Sequence, residues 1–293
     1  MTTPSLSSAA RRQIGGVEVF GIGLGAMPMS VSGHMPAEDQ SLRTIHAALD
    51  AGVRLVDTAD AYTPDGDDAG HNERLVAKAL ASWEGDRDAV LVATKGGHTR
   101  SADGGWGTDG RPEYLREACE RALRALGVEA IGLYQHHRPD PEVPYAETIG
   151  ALRDLLDEGK IRLAGISNAD PEQIRTAQEV LGGRLASVQN QFSPRFRSST
   201  NELELCTEQG VAFLPWSPLG GISSAPELSA QHAAFAAVGR ERGASAYQVC
   251  LAWELAKAPV VVPIPGASRP ESVLDCVGAA ELDLSANELA RLG

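Results

Sequence analysis

The sequence lacks the features that mark several classes of protein. Its 293 residues include only four cysteines, which are widely spaced without a Cys-x-x-Cys pair, so neither a disulfide framework nor a zinc ribbon is predicted. The longest apolar runs, such as residues 260–265, fall far short of the ~18 residues that span a bilayer. Basic residues number 26 against 39 acidic ones, and the net charge of −13 would repel a nucleic-acid backbone. We therefore expect a cytoplasmic protein that binds neither nucleic acid nor a membrane.

The beginning of the chain carries no targeting signal that we can identify. Arg11 and Arg12 are not followed by an apolar stretch, which argues against a secretory signal or an anchor. Residues 1–10 are expected to form a flexible tail and residues 11–293 a single domain. The chain is 43% apolar and 22% charged, which is enough for a sizeable core without disulfides or metals. A monomer is the default expectation.

Short β-rich apolar runs alternate with amphipathic segments along the whole chain. Helix start signals occur at residues 36–39, 112–113 and 170–172, and Ser285 with Glu288 has the spacing of a capping box before a short closing helix. Consecutive βα units imply parallel strands with right-handed crossovers. Eight such units in ~250 residues predict an α/β fold, a closed (β/α)8 barrel with an N-terminal hairpin. The predicted strands are residues 21–24, 55–59, 89–95, 131–137, 161–167, 187–191, 212–217 and 260–265.

A doubly wound sheet is the competing prediction, because residues 21–26 satisfy the G-x-G-x-x-A dinucleotide-binding pattern. That fingerprint must open a helix. Here Pro28 and Pro36 follow, with no apolar periodicity between them, so a tight exit from a strand is the favoured interpretation.

The glycine-rich segment 96–111 is too polar for a core and predicts a long βα loop. In a barrel, such loops lie at the C-terminal ends of the strands and shape the pocket. Trp106 is either a wall of that pocket or the packed tip of an exposed loop. The loop 192–196 is expected to add a second wall, in which Arg195 would favour an anionic or polar substrate.

Polar side chains follow the predicted strands, where a barrel keeps its active site. Asp57 and Tyr62 lie at the end of the second strand, Lys95 ends the third and His137 ends the fourth. Tyrosine is a poor acid at neutral pH, and a nearby ammonium would lower its pKa. Lys95 could supply that charge if Asp57 keeps it protonated, while His137 would orient a substrate oxygen. This set suits proton donation to a carbonyl.

Seven ordered motifs resemble those of the aldo-keto reductase superfamily, and the resemblance extends from Gly15 to about Cys276. They are DTADAY with a later NE, ATK, LYQHHRPDP, GISN, VQNQFSP, PWSPLG and PIPGASRPES. The resemblance implies a nicotinamide-dependent barrel whose catalytic tetrad falls on Asp57, Tyr62, Lys95 and His137. His136 neighbours the last of these, and because adjacent strand residues point to opposite faces, we expect it to pack behind the site.

The same resemblance implies where the cofactor binds. Ser167, Asn168 and Gln189 would hold the nicotinamide carboxamide, and Trp216 would stack on its ring; for Ser167 and Asn168 a helix cap is the alternative. The loop through Ser217, Leu219 and Gly220 resembles the pyrophosphate cradle of the family. The phosphate end of the cofactor would lie at Gly266, Ser268 and Arg269, with Asp275 where adenine contacts are expected.

These inferences predict an NADP-dependent reductase that converts an aldehyde or ketone to an alcohol. Tyr62 would donate the proton, and no metal is required. Arg269 suits the 2′-phosphate of NADPH, which makes NAD(H) the less favoured cofactor, although a solvated side chain is the alternative for this residue. Two other functions stay open: a cofactor-sensing binding subunit with little turnover, and an aldolase or isomerase that forms a Schiff base on Lys95.

Overall fold

The computed structural model describes residues 11–31, 33, 35–64, 66, 68–101, 103–221 and 232–293. The tail predicted for residues 1–10 lies outside them. The strands are β1 (Arg11–Ile14), β2 (Val17–Phe20), β3 (Leu24–Gly25), β4 (Leu55–Asp57), β5 (Leu91–Gly96), β6 (His98–Arg100), β7 (Trp106–Thr108), β8 (Ile131–His136), β9 (Ile161–Ser167), β10 (Leu185–Gln189) and β11 (Ala212–Phe213). The helices are α1 (Glu38–Asp50), α2 (His71–Ser82), α3 (Pro112–Leu126), α4 (Tyr145–Asp157), α5 (Pro171–Val180), α6 (Thr200–Gln209), α7 (Ala233–Arg242), α8 (Ala246–Leu255), α9 (Pro270–Val277) and α10 (Ala286–Leu292).

Seven of the strands form one parallel sheet in the order β3-β4-β5-β8-β9-β10-β11. Residues 260–265, the predicted eighth strand, lie between its two edges. The Val262 N–H donates to Phe213 O at 2.9 Å, and the Gly25 N–H donates to Pro265 O at 3.0 Å. Pro263 and Pro265 have no N–H to donate, so this segment forms bridges and no continuous ladder. The sheet is thereby closed into the predicted (β/α)8 barrel.

The closure depends on a close backbone approach at Gly25. A Cβ at this position would lie 2.9 Å from the carbonyl oxygen of Ile264. Only glycine lets β3 come this near to residues 260–265. A short 3₁₀ helix at Met27–Met29 follows β3, so the G-x-G-x-x-A pattern is the tight strand exit and does not open an α-helix.

The predicted N-terminal hairpin, β1 and β2, packs against the barrel interior where the strands begin. Ile14 and Val19 belong to the same buried cluster as Leu55, Leu91 and Leu133. The hairpin closes the end of the barrel where the strands begin. The functional side chains therefore lie at the opposite end of the barrel, where the parallel strands finish. The helices surround the sheet. The predicted capping box at Ser285–Glu288 forms, and at the start signal of residues 170–172 Asp170 forms a capping box with Gln173.

The described residues show neither a membrane-spanning helix nor a metal-binding cluster. None of the helices there is both long and apolar enough to cross a membrane. Nor do these residues bring together three or more histidine, cysteine or acidic side chains in a way that could hold a metal ion.

Candidate active site

The four predicted catalytic residues converge where β4, β5 and β8 end. Asp57 is the last residue of β4, Lys95 lies near the end of β5, and His137 directly follows β8. The Lys95 ammonium is fully buried and donates to Asp57 Oδ2 at 2.7 Å, to the Thr58 carbonyl oxygen at 2.9 Å and to Tyr62 Oη at 3.1 Å. All three ammonium protons therefore have an acceptor, and one acceptor is the phenol of Tyr62.

The charges at this site favour an ammonium beside a neutral phenol. Burial by itself lowers the pKa of Lys95, but Asp57 and Tyr62 more than offset it, and the net pKa lies above the usual value. Burial is also the main influence on Tyr62. It raises the pKa above 10.0, because it outweighs the opposing effect of Lys95. Lys95 does lower the pKa of Tyr62, as predicted, but burial has the larger effect, so Tyr62 keeps its proton at neutral pH.

His137 is neutral as well. Burial first, and then the positive charge of Lys95, hold its pKa well below 6.5. Its ring meets the Tyr62 ring edge to face, with 5.6 Å between centroids. Its buried Nδ1 has no hydrogen-bond partner among the described residues. A neutral imidazole can donate one hydrogen bond to a substrate oxygen beside the phenol.

The loop that carries Tyr62 is fixed by the start of α2. Asn72 accepts a hydrogen bond from Thr58 Oγ1 at 2.6 Å, and its Nδ2 donates to Ala26 O and to Ser30 Oγ. The backbone N–H of Asn72 also donates to Tyr62 O. Asn72, the first residue of the Asn-Glu pair after DTADAY, therefore joins this loop to the segment following β3.

A cavity of about 230 Å³ lies above the tetrad. Lys95 is beneath its floor, in contact with two of the lining residues. Gly221 lines it where Gly220 was predicted, and Ser268, Arg269 and Asp275 are likewise absent from its lining. The predicted residues that line it are Asp57, Tyr62, His137, Ser167, Asn168, Gln189, Trp216, Ser217, Leu219 and Gly266.

The predicted nicotinamide-binding residues are held by a local network. Ser167 Oγ donates to the Gln189 carbonyl oxygen at 2.7 Å, and Asn168 Nδ2 donates to His137 O at 3.0 Å. Gln189 Nε2 donates to Asp57 Oδ1 at 2.8 Å, which connects this network to the tetrad. Asp170, and neither Ser167 nor Asn168, caps α5. The helix-cap alternative is therefore wrong for both residues.

Two non-glycine residues of the site have left-handed backbones, Asn168 with φ +57° and Ser217 with φ +50°. Such conformations are sparsely populated and concentrate at functional sites. Both residues line the cavity. Asn168 is itself predicted to hold the nicotinamide carboxamide, and Ser217 directly follows Trp216, which is predicted to stack on the nicotinamide ring. The buried indole N–H of the neighbouring Trp216 has no partner in the described part of the chain.

The residues predicted for the phosphate end lie at the start of α9. Arg269 is the N-cap residue of this helix, and its exposed guanidinium donates to Ser272 Oγ at 3.4 Å. The Ser268 carbonyl oxygen accepts a hydrogen bond from Gln40 Nε2. Asp275 accepts one from Ser245 Oγ at 2.7 Å, so its carboxylate joins α9 to the N-terminus of α8.

The glycine-rich segment 96–111 contains an unpredicted antiparallel hairpin, β6 and β7. Trp106 stacks on His98 with 4.5 Å between ring centroids, and the Arg100 guanidinium lies 4.1 Å from the Trp106 ring centroid. Both His98 and Trp106 line the cavity. Trp106 is therefore a pocket wall that also packs within its own hairpin. No sequence pattern singled out His98, because its segment lacks strand-like alternation.

Neither His136 nor the loop 192–196 lines the cavity. His136 is fully buried away from the cavity lining, and its ring packs 5.8 Å from that of Tyr145, as expected for a residue behind the site. The loop 192–196 does not form the predicted second wall. Phe192 is core and stacks on Trp253 at 5.7 Å, and Arg195 is not among the lining residues.

Comparisons with known proteins agree with this architecture. The model of the aldo/keto reductase family matches residues 21–293. A probable aldo-keto reductase of Glycine max is 33% identical over 94% of this chain and 85% of its own length. A glycerol dehydrogenase of Gluconobacter oxydans is 27% identical with a TM-score of 0.83, covering 97% of this chain and 94% of that one. An aldo/keto reductase of Klebsiella pneumoniae in complex with NADP and acetate is 28% identical with a TM-score of 0.79 and the same coverage. The chain belongs to the aldo/keto reductase family of oxidoreductases.

Proposed function

We propose that this protein catalyses the NADPH-dependent reduction of an aldehyde or ketone to an alcohol. One observation carries the proposal: a protonated Tyr62 contacts a buried, ion-paired Lys95 at the floor of a cavity. Tyr62 keeps its proton until a base accepts it, and the ammonium stabilises the phenolate that remains afterwards. These are the two requirements of a general acid for a carbonyl oxygen.

The reaction assigns a separate task to each polar group. The reduced nicotinamide, when bound, supplies a hydride to the carbonyl carbon. His137 donates a hydrogen bond to the carbonyl oxygen and fixes its position above Tyr62. Tyr62 transfers its proton to that oxygen as negative charge develops, and Lys95 stabilises the phenolate. Asp57 keeps Lys95 protonated, so the donors are in place before charge develops and need no reorganisation.

The residues on one side of the cavity fit a nicotinamide cofactor. Trp216 offers an aromatic face and a buried indole N–H that has no hydrogen-bond partner among the residues that the structure describes. Asn168 uses its Nδ2 to hold His137 O, which leaves Oδ1 to accept from a carboxamide. The Arg269 guanidinium, together with the backbone N–H groups at the start of α9, suits the 2′-phosphate of NADPH. The proposed cofactor is therefore NADPH, with NADH binding more weakly.

The Lys95 environment argues against the Schiff-base alternative. A nucleophilic lysine must lose its proton, whereas Asp57 and Tyr62 here raise the pKa of Lys95. The complete tetrad likewise favours turnover over a purely cofactor-sensing subunit.

The test is a tryptophan-fluorescence titration of the protein with NADPH and with NADH, followed by a panel of small aldehydes read as loss of the reduced nicotinamide. We expect quenching with tighter binding of NADPH, and turnover with at least some aldehydes. Binding without turnover would support the sensing subunit. No binding of either cofactor, with borohydride trapping on Lys95, would support the Schiff-base enzyme.

A further inference from the structure

Arg138 is a charged residue at the cavity to which the proposed function gives no task. It directly follows His137, is exposed and lines the cavity above the tetrad. Its guanidinium has neither a hydrogen bond nor an ion pair among the described residues. Arginine donors that face a pocket without an acceptor are suited to a planar anion such as a carboxylate.

Arg138 is close enough to affect the two imidazoles of the cavity. Burial is the main reason that the pKa of His98 falls to about 4, and Arg138 is the next contributor. Arg138 also adds to the lowering of the His137 pKa, after burial, Lys95 and His98. The guanidinium is therefore close to His98 and His137, the two imidazoles that line the cavity with it.

The charges in the cavity leave one positive charge uncompensated. Among the described lining residues, only Asp57 and Arg138 are formally charged at neutral pH, because His98 and His137 are neutral. Asp57 is neutralised by its ion pair with Lys95. Arg138 thus gives the cavity a local positive charge in a chain whose net charge is −13.

The rest of the wall is mainly apolar. Met27, Trp106, Leu219 and Ile264 line the cavity around the neutral imidazoles. An apolar wall favours a hydrocarbon or aromatic body, and the few polar groups then determine how the ligand is oriented. Here these groups are a proton donor at the floor and a guanidinium at the edge.

We propose that the substrate is an aldehyde or ketone with an apolar body and a carboxylate, and that Arg138 binds the carboxylate while the carbonyl lies at Tyr62 and His137. This inference rests on the proposed function and adds its substrate class. Arg138 is a specificity-determining residue, so its effect should appear in KM for acidic substrates while the reduction of neutral substrates is retained.

The experiment compares two aldehydes of nearly equal shape, 4-formylbenzoate and its neutral isostere 4-formylbenzamide. Both are assayed with wild type, Arg138→Gln, Arg138→Lys and Arg162→Gln. Arg162 lies exposed at the start of β9, the other end of the barrel, so this control removes the same charge far from the cavity. The dissociation constant for NADPH is measured for every variant.

Wild type should have a kcat/KM for the acid at least about tenfold above that for the amide, as expected for a charge-assisted hydrogen bond. Arg138→Gln should abolish that preference through KM, with amide reduction and NADPH affinity unchanged. Arg138→Lys should retain part of the preference, and Arg162→Gln all of it. Equal kcat/KM for the two aldehydes in wild type, or the same preference in Arg138→Gln, would overturn the proposal. Weaker NADPH binding by Arg138→Gln would instead assign Arg138 to the cofactor.

A binding measurement separates this proposal from the proposed reaction. Calorimetric titration of the NADP-bound protein with benzoate and with benzamide needs no turnover. Tighter binding of benzoate that depends on Arg138 supports the carboxylate site even if neither aldehyde is reduced, in which case the proposed reaction alone would fail. Equal affinity for the two ligands would contradict the carboxylate site.

Discussion

Two aspartates three residues apart, Asp57 and Asp60, lie in contrasting surroundings on the two sides of the barrel wall. Asp57 faces inward, where Lys95 and Gln189 donate to its two oxygens. Asp60 is buried outside the sheet, close to Glu73, and one oxygen of each carboxyl lacks a partner among the described residues. Burial raises the pKa of Asp60 well above its usual value, and Glu73 adds to this more than Arg121 opposes it.

The comparison shows that burial alone does not decide what a carboxyl group does. The inner carboxylate has a cation and keeps that cation charged, which serves the reaction. The outer pair has too little positive charge, and the pKa of Glu73 rises to about 7, chiefly through burial, despite its hydrogen bond from Thr94. The inner site therefore holds a fixed charge pattern near neutral pH, whereas the outer pair takes up or releases a proton.

The largest effect is expected from removing the inner cation with Lys95→Met. This leaves Asp57 buried without a counter-charge, and we expect a loss of ~3–5 kcal/mol in the free energy of unfolding, together with the loss of reduction. Adding Asp57→Asn should restore much of the stability but none of the activity. Urea unfolding and steady-state assays measure both.

Lys78→Met is the matched control for that prediction. Lys78 pairs with Glu38 on the surface, where both side chains are more than half exposed, so its loss should cost less than ~1 kcal/mol. Equal destabilisation by the two lysine substitutions would contradict the importance that we assign to the buried pair.

A smaller effect is expected from Glu73→Gln, which imitates the protonated form of the outer pair. The folded-state pKa of about 7 exceeds the ordinary 4.5, so proton uptake by Glu73 stabilises the fold. That stabilisation is complete below the ordinary pKa and is lost as pH rises through about 7. As pH rises from ~5 to ~8, the free energy of unfolding of wild type should fall by roughly 2–3 kcal/mol more than that of the variant.

Denaturant titrations at several pH values measure this difference. Glu84→Gln, at an exposed position, is the control and should follow wild type. Parallel pH dependences for wild type and Glu73→Gln would show that the outer pair does not titrate as described.

The smallest effect is expected on the catalytic rate as pH changes. Tyr62 titrates above 10.0 and His137 well below 6.5, so kcat for a neutral aldehyde should change less than about twofold between pH ~7 and ~9. A kcat that follows the titration of Glu73, and that loses this dependence in Glu73→Gln, would show that the outer pair is coupled to the inner site.

The sequence predicted the inner site better than the outer pair for a physical reason. Lys95 and His137 end predicted strands and Asp57 lies near the end of another, and parallel strands finish at one end of a barrel, so their proximity follows from topology. β9 is found at the predicted residues 161–167. The partners of Asp60 and Glu73, by contrast, depend on how α2 and α3 pack outside the sheet, which no local pattern encodes.

Local prediction also failed where backbone hydrogen bonds decide the structure. Residues 212–217 and 260–265 have the composition of strands, but β11 ends at Phe213 and the latter segment forms only bridges. Pro215, Pro263 and Pro265 each remove a donor that a ladder requires. The β6–β7 hairpin is the opposite case, because a segment whose glycines suggested a loop forms two strands. Stacking of Trp106 on His98 and the Arg100 guanidinium over the Trp106 ring stabilise it.

The central claim is that Tyr62 is the proton donor, and single-turnover reduction by Tyr62→Phe tests it most directly. The variant keeps the aromatic ring, so NADPH affinity measured by fluorescence should match wild type. With the cofactor bound, the rate of aldehyde reduction should fall by a factor of roughly 10²–10⁴, the usual contribution of a general acid. A Tyr62→Phe protein that binds NADPH normally and reduces the aldehyde at the wild-type rate would contradict the mechanism.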